Sequence, residues 1–108
     1  MGNYFTYITT NPRKTVLYTG MTNNLEQRIV EHFLNRGTRK SFAGKNYCYF
    51  LLHFERFETP IQAIDREKEI KRMSRKQKEE LIAIKNSKWN FLNVSIMDWP
   101  PDPMRTSR

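Results

Sequence analysis

Tyr7, Tyr18, Arg28 and His32 fall within the first third of the chain, and their side chains suit the handling of a phosphate. Arg28 and His32 stand at positions i and i+4, which makes them neighbours on one face of a helix. Arginine can clamp a phosphate with two parallel hydrogen bonds, and histidine can shuttle a proton or bond a non-bridging oxygen. A phenol ordinarily titrates near about 10, so a tyrosine acting as base needs a metal or a cationic neighbour that favours the phenolate. The bland alternative is a solvated helix face opposite Leu25, Ile29 and Phe33, with two strand tyrosines that simply pack.

These residues need a scaffold. Tyr4 to Thr10 and Val16 to Met21 are rich in aromatic and β-branched residues and read as strands, joined through Asn11-Pro12-Arg13-Lys14 as a hairpin. Asn23 followed by Glu26 resembles a capping box, and Leu25, Ile29 and Phe33 repeat at helical spacing until Asn35-Arg36-Gly37. Residues 37–46 carry glycine, serine and basic residues without a period and read as an exposed, mobile loop. Tyr47 to Phe57 reads as a third strand, partly buried on both faces and paired with the hairpin. Thr59-Pro60-Ile61-Gln62 and Ser74-Arg75-Lys76-Gln77 each open a helix, the second with Leu81, Ile82 and Ile84 on its apolar side.

Glu67 adds a possible cation ligand. Ala63, Glu67 and Ile70 recur at helical spacing, so a carboxylate lies in or beside the stripe expected to face the sheet. Burial there is costly unless the charge is paired or bound to a cation. One reading is an edge glutamate reaching solvent or a lysine of its own helix; the other is a ligand for Mg²⁺, which is often held by one or two protein carboxylates. His53, between Leu52 and Phe54, reads as a structural or surface histidine.

The 108 residues suit one domain, with 38% apolar content for a modest core. Against 11 Asp and Glu stand 19 Lys and Arg, a formal charge of +8 that favours nucleic acid as partner. No apolar run approaches the roughly 20 residues of a membrane span, and the N-terminus lacks the apolar stretch of a signal peptide, so a cytoplasmic chain without membrane contact is expected. Cys48 is the single cysteine, which excludes an internal disulfide and fits a packed strand residue better than a nucleophile. Trp89, Phe91, Leu92 and Val94 are expected to pack back on a domain of residues 1–95, followed by a Pro-containing, disordered tail at 96–108.

Thr6-Tyr7-Ile8, Tyr18-Thr19-Gly20, the run from Leu25 to His32, and Arg66-Glu67-Lys68-Glu69-Ile70-Lys71 together resemble the successive motifs of the GIY-YIG nuclease superfamily. The resemblance is closest to its small, single-domain bacterial branch and spans roughly residues 4–93; each motif alone is weak, and the ordered set at matching intervals carries it. It implies an α+β fold, a small three-stranded antiparallel sheet flanked by helices, and a metal-dependent DNA endonuclease. By that resemblance Tyr7 and Tyr18 organise or activate the attacking water, Arg28 stabilises charge on the phosphoryl group, and His32 assists proton transfer or phosphate contact. Glu67 would hold one Mg²⁺ or Mn²⁺, with Gly20 and Asn86 in support. A single carboxylate ligand fits a one-metal mechanism better than a two-metal clamp.

The first motif here reads Phe5-Thr6-Tyr7, without the nominal glycine and isoleucine, and Met21 stands where some relatives carry lysine. The base is therefore open among Tyr7, Tyr18 and His32. Arg36, Arg39, Lys40 and Lys45, with Lys71, Arg72, Arg75, Lys76 and Lys78 around the later helix junction, are expected to track a phosphate backbone without reading bases. The expected function is DNA cleavage in repair or recombination with low sequence specificity, on branched, nicked or single-stranded substrates. The alternative is a non-catalytic nucleic-acid-binding module of the same fold. The oligomeric state is open, since an aromatic third strand could support a dimer.

Overall fold

The structure, a computed structural model, describes residues 2–101. Strands β1 (Tyr4–Thr10), β2 (Leu17–Thr22) and β3 (Phe50–Phe57) form one antiparallel sheet in the order β2-β1-β3. β1 takes the centre because both of its faces can be buried: Thr6 to Thr10 are all out of solvent. Its turn into β2 is organised as the sequence predicts, by Asn11, whose Oδ1 accepts from the backbone N–H groups of Thr15 (2.8 Å) and Val16 (3.0 Å).

Helix α1 (Leu25–Leu34) covers one face, where Leu25 and Ile29 pack on Tyr7 and Leu51. Helices α3 (Pro60–Lys71) and α4 (Arg75–Lys85) cover the other, through Ile70 and Ile82 against Ile8 and Leu52. Each fully buried isoleucine contributes about 1.5–3 kcal/mol. Ile84 points away from this core and is exposed. Both predicted capping boxes form, Thr59 with Gln62 and Ser74 with Gln77. The N-cap of α1 falls one residue later than expected, on Asn24, whose Oδ1 accepts from Gln27 N–H; Thr22 Oγ1 accepts from Asn24 N–H and sets that register. Thr6 Oγ1 donates to the Ala63 carbonyl at 2.7 Å, bolting the central strand to α3 one turn before Glu67.

Residues 37–46 are more ordered than a mobile loop. They contain the short helix α2 (Phe42–Lys45), capped by Ser41 and seated by the buried Ala43 and Gly44. A Cβ on Gly44 would lie 2.7 Å from the Asn35 carbonyl oxygen, so glycine permits the close approach. β3 begins at Phe50 rather than Tyr47, because Tyr47 leaves α2 in the left-handed region with φ 58 and cannot belong to a strand.

The outer edge of β3 is covered by the C-terminal segment, which includes α5 (Asn93–Ile96). Asn93, 1% exposed, accepts from Leu51 N–H (2.7 Å) and donates to the Tyr49 carbonyl (2.9 Å). Where the β1–β3 register shifts between Ile8 and Thr9, Asn86 Nδ2 donates to the Leu52 carbonyl at 3.0 Å. The segment expected to be disordered from residue 96 is packed through Pro101: Ile96 and Met97 join the α1-side core, and Trp99 meets the rings of Phe33 and Tyr49. The rest of that tail, residues 102–108, lies outside the described residues. Among the described residues no helix is long and apolar enough to cross a membrane.

Replacing Asn93 by alanine leaves the buried Leu51 N–H and the Tyr49 carbonyl without this partner. A loss of about 1–3 kcal/mol is expected in urea denaturation, with the denaturant slope unchanged.

Candidate active site

Tyr7 lies on the central strand with no exposed surface, so its hydroxyl must find partners inside the protein. A 2.8 Å hydrogen bond joins it to His32 Nε2, and Arg28 Nε donates to it at 3.3 Å. The helical spacing that makes Arg28 and His32 neighbours thus brings both to one phenolic oxygen. His32 is only 5% exposed, which excludes the reading of a solvated polar face for it. Arg28 remains partly open to solvent, with Nη1 on Glu31 Oε1 at 3.1 Å. Glu31, not singled out from the sequence, sets the pose of the guanidinium; its place three residues after Arg28 is the available signal.

Tyr18 flanks this group. Its ring stands edge-on to His32, with centroids 5.4 Å apart, and 6.3 Å from that of Tyr7. Gly20 lies opposite Tyr7 in the β1–β2 register, and a Cβ there would come within 2.5 Å of the Tyr7 oxygen and 2.7 Å of Cζ. Glycine is required because the phenol lies over the strand at that point.

Burial pushes the Tyr7 phenol well above its ordinary range; the Arg28 hydrogen bond works against this, while Tyr18 and the Glu67 carboxylate add to it. Burial also lowers His32 to about 4, helped by the charge of Arg28 and opposed by Glu31. At neutral pH the pair is therefore an un-ionised phenol against a neutral imidazole.

Glu67 is close enough to act on Tyr7 by its charge, and its side chain is 21% exposed, with Oε2 on Lys71 Nζ at 3.0 Å. The lysine of its own helix anticipated from the sequence is thus present, and the carboxylate still acts on the phenol through its charge. Among the described residues no group of three His, Cys, Asp or Glu side chains could hold a metal ion, and Glu67 offers one hard oxygen donor. Such a donor fits Mg²⁺ or Mn²⁺, which accept phosphate oxygens and waters as their remaining ligands. A cleft of about 430 Å³ opens beside Arg28, lined by Met21, Asn24, Gln27 and Glu31 among others.

The other candidates divide. Asn86 is buried and bonded to the Leu52 and Asn90 backbone, which makes it a tie of α4 to β3 at a distance from the phenols' own contacts. Arg36 donates to the Phe33 carbonyl and covers the Phe33 ring, Lys71 pairs with Glu67, and Arg75 binds Glu79 and the Thr15 carbonyl. Arg39, Lys40 and Lys45 stand exposed around α2, as do Arg72 and Lys76 at the α3–α4 junction. His53 is structural, bonded to Glu55 at 2.7 Å, and Cys48 is buried, its thiol pushed up to about 11 by burial.

A family model described as the GIY-YIG catalytic domain matches residues 3–80, a span that holds Tyr7, Tyr18, Arg28, His32 and Glu67. The chain is 37% identical over 81 residues to a UPF0213 protein of Natronomonas pharaonis, covering 75% of this chain and 92% of that one. A UPF0213 protein of Clostridium perfringens is 43% identical over 72 residues, 67% of this chain and 75% of the relative. The solution NMR structure of a UPF0213 protein from Bacillus halodurans superimposes with a TM-score of 0.52 at 26% identity, covering 89% of this chain and 97% of the other. That neighbour supports the α+β fold with its three-stranded antiparallel sheet.

Two outcomes test the geometry. An unfolded histidine titrates near 6.5 and native His32 near 4, so between these values the unfolded state binds more protons and stability falls as the pH is lowered. The full effect is on the order of 3 kcal/mol, and an NMR titration should place the His32 midpoint near 4. Gly20→Ala should shift the Tyr7 and His32 ring resonances and lower the melting temperature, because the added methyl displaces the phenol.

Proposed function

The chain belongs to the GIY-YIG catalytic domain family, and on that premise we propose that it is a metal-dependent DNA endonuclease of low sequence specificity, acting in repair or recombination. The observation that carries this reading is the Tyr7 oxygen held between the Arg28 guanidinium and a neutral His32 imidazole, within reach of the Glu67 charge.

Tyr7 is too weak an acid to serve as a standing phenolate, so its role is to pass a proton. In this reading Nε2 of His32 is the unprotonated nitrogen and accepts from the Tyr7 O–H. Because Tyr7 has no exposed surface in the free protein, substrate entry must first open its oxygen to the attacking water, whose proton it takes as its own moves to the imidazole. The resulting hydroxide displaces the leaving oxygen at phosphorus; the phosphorus–oxygen bond to that group breaks as the leaving oxygen takes a proton from solvent, and His32 gives up the proton it gained to restore the neutral pair. Arg28 cannot lose its charge at any working pH and faces the reacting group from the same helix, where it offsets the negative charge that develops on the phosphoryl oxygens. Tyr18 walls the site and holds the His32 ring edge-on. One divalent cation at Glu67 would supply Lewis-acid stabilisation of that charge. Arg39, Lys40, Lys45, Arg72 and Lys76 would meet backbone phosphates, a contact that positions a nucleic acid without choosing its sequence.

The Glu67–Lys71 ion pair favours a second reading, a nucleic-acid-binding module without catalysis, in which Glu67 is neutralised by its own helix. Incubation with Mg²⁺ and branched, nicked or single-stranded DNA separates the two. Cleavage is expected, abolished by a chelator and restored by Mn²⁺, and reduced about 10²-fold or more by Arg28→Ala or Glu67→Ala while salt-sensitive binding persists. Binding without cleavage of any substrate overturns the nuclease reading in favour of the module.

A further inference from the structure

Phe42 opens α2 with 54% of its surface exposed, an unusual place for so large an apolar ring. Its position is not a matter of local freedom. Ser41 caps the helix by accepting from Gly44 N–H at 3.0 Å, and Ala43 and Gly44 are buried beneath it, so α2 cannot roll to hide the ring. One part of Phe42 stacks on Tyr18, with centroids 6.2 Å apart and planes 21° apart, and Tyr18 meets His32 edge-on. An aromatic shelf therefore runs from the candidate site outward to a solvent-facing ring. Of the other large apolar side chains exposed among the described residues, Leu34, Ile61, Ile64, Ile84 and Val94 are aliphatic, and the second aromatic ring, Tyr47, lies by Gly37 rather than on Tyr18.

The surroundings of the shelf are cationic. Arg39, Lys40 and Lys45 lie exposed on the same loop and helix. An open aromatic face amid backbone-attracting charges is the combination that binds a nucleobase by stacking while its phosphates are held beside it.

We propose that Phe42 seats the nucleobase next to the scissile phosphate, continuing the Tyr18–Phe42 stack. The proposal rests on the nuclease reading for the location of the scissile phosphate, and on the exposed stacked ring for the seat itself. Stacking accepts any of the bases, so Phe42 selects for a base that is free of a duplex stack rather than for its identity. It is a specificity-determining residue and takes no part in the proton transfers.

The test uses single-stranded oligonucleotides carrying one 2-aminopurine, moved position by position, with the full chain in the presence of a chelator. Wild-type protein is expected to quench the fluorescence at one or two positions. Phe42→Trp should keep the quenching, and Phe42→Leu, with a wild-type melting temperature, should lose it and bind about tenfold more weakly. Absence of quenching at every position, or equal quenching by Phe42→Leu, overturns the seat, including the case in which Phe42 serves a protein partner instead. Cleavage is then read separately with Mg²⁺: an abasic site at the quenched position should slow wild-type cleavage about tenfold and leave Phe42→Leu indifferent to it. Quenching without cleavage overturns the nuclease reading and keeps the base seat, whereas cleavage without quenching overturns the seat alone.

Discussion

A phenol buried on the central strand of a sheet cannot leave its oxygen unbonded, and most of this molecule's local geometry follows from that requirement at Tyr7. Its partners come from a single helix. For His32 and Arg28 to reach the same oxygen, α1 must lie across the sheet with Leu25 and Ile29 pressed onto the Tyr7 side, and the neighbouring strand must surrender a side chain at Gly20. The electrostatics follow from the same burial. A low-dielectric setting disfavours both phenolate and imidazolium, so the pair stays neutral, a phenol hydrogen-bonded to an imidazole.

The positive charge of the chain is put to unequal use. Arg36, Lys71 and Arg75 are committed to carbonyls, a ring or carboxylates of the protein itself, whereas Arg39, Lys40 and Lys45 project from the α2 region. A formal charge of +8 therefore overstates the number of side chains waiting for a partner; Arg39, Lys40 and Lys45 stand exposed near the aromatic shelf, and Arg72 and Lys76 at the α3–α4 junction. A basic surface of this kind attracts nucleic acid over roughly a Debye length, and shape and stacking at closer range decide what is held.

Features decided by residues a few positions apart are legible in the amino-acid sequence itself. The two capping boxes, the Asn11 turn, and the shared face of Arg28 and His32 depend on such short separations, and all are present. The placement of Glu67 near the inward stripe of α3 is visible for the same reason. Features decided by distant contacts are not. Nothing local distinguishes the buried His32 from a solvated one, or reveals that residues 41–45 are seated against the Asn35 carbonyl. Tyr47 has the composition of a strand residue and takes a left-handed turn instead, which delays the start of β3, and the segment after residue 95 packs because Trp99 finds Phe33 and Tyr49. Asn93 carries no local signal, because its value lies entirely in two backbone groups more than forty residues away.

The bond from Thr6 to Ala63 spans 57 residues, while Tyr7 reaches His32 across 25. Hairpin and first helix close short loops, and α3 docks only after a third strand has been recruited across a much longer one, at greater entropic cost. A chain emerging from synthesis would thus assemble its phenols, guanidinium and imidazole before its carboxylate arrives. The carboxylate is carried by an element whose tie to the central strand closes a much longer loop than the hairpin and first helix do, which makes the gathering of all five residues a property of the finished fold rather than of any fragment of it.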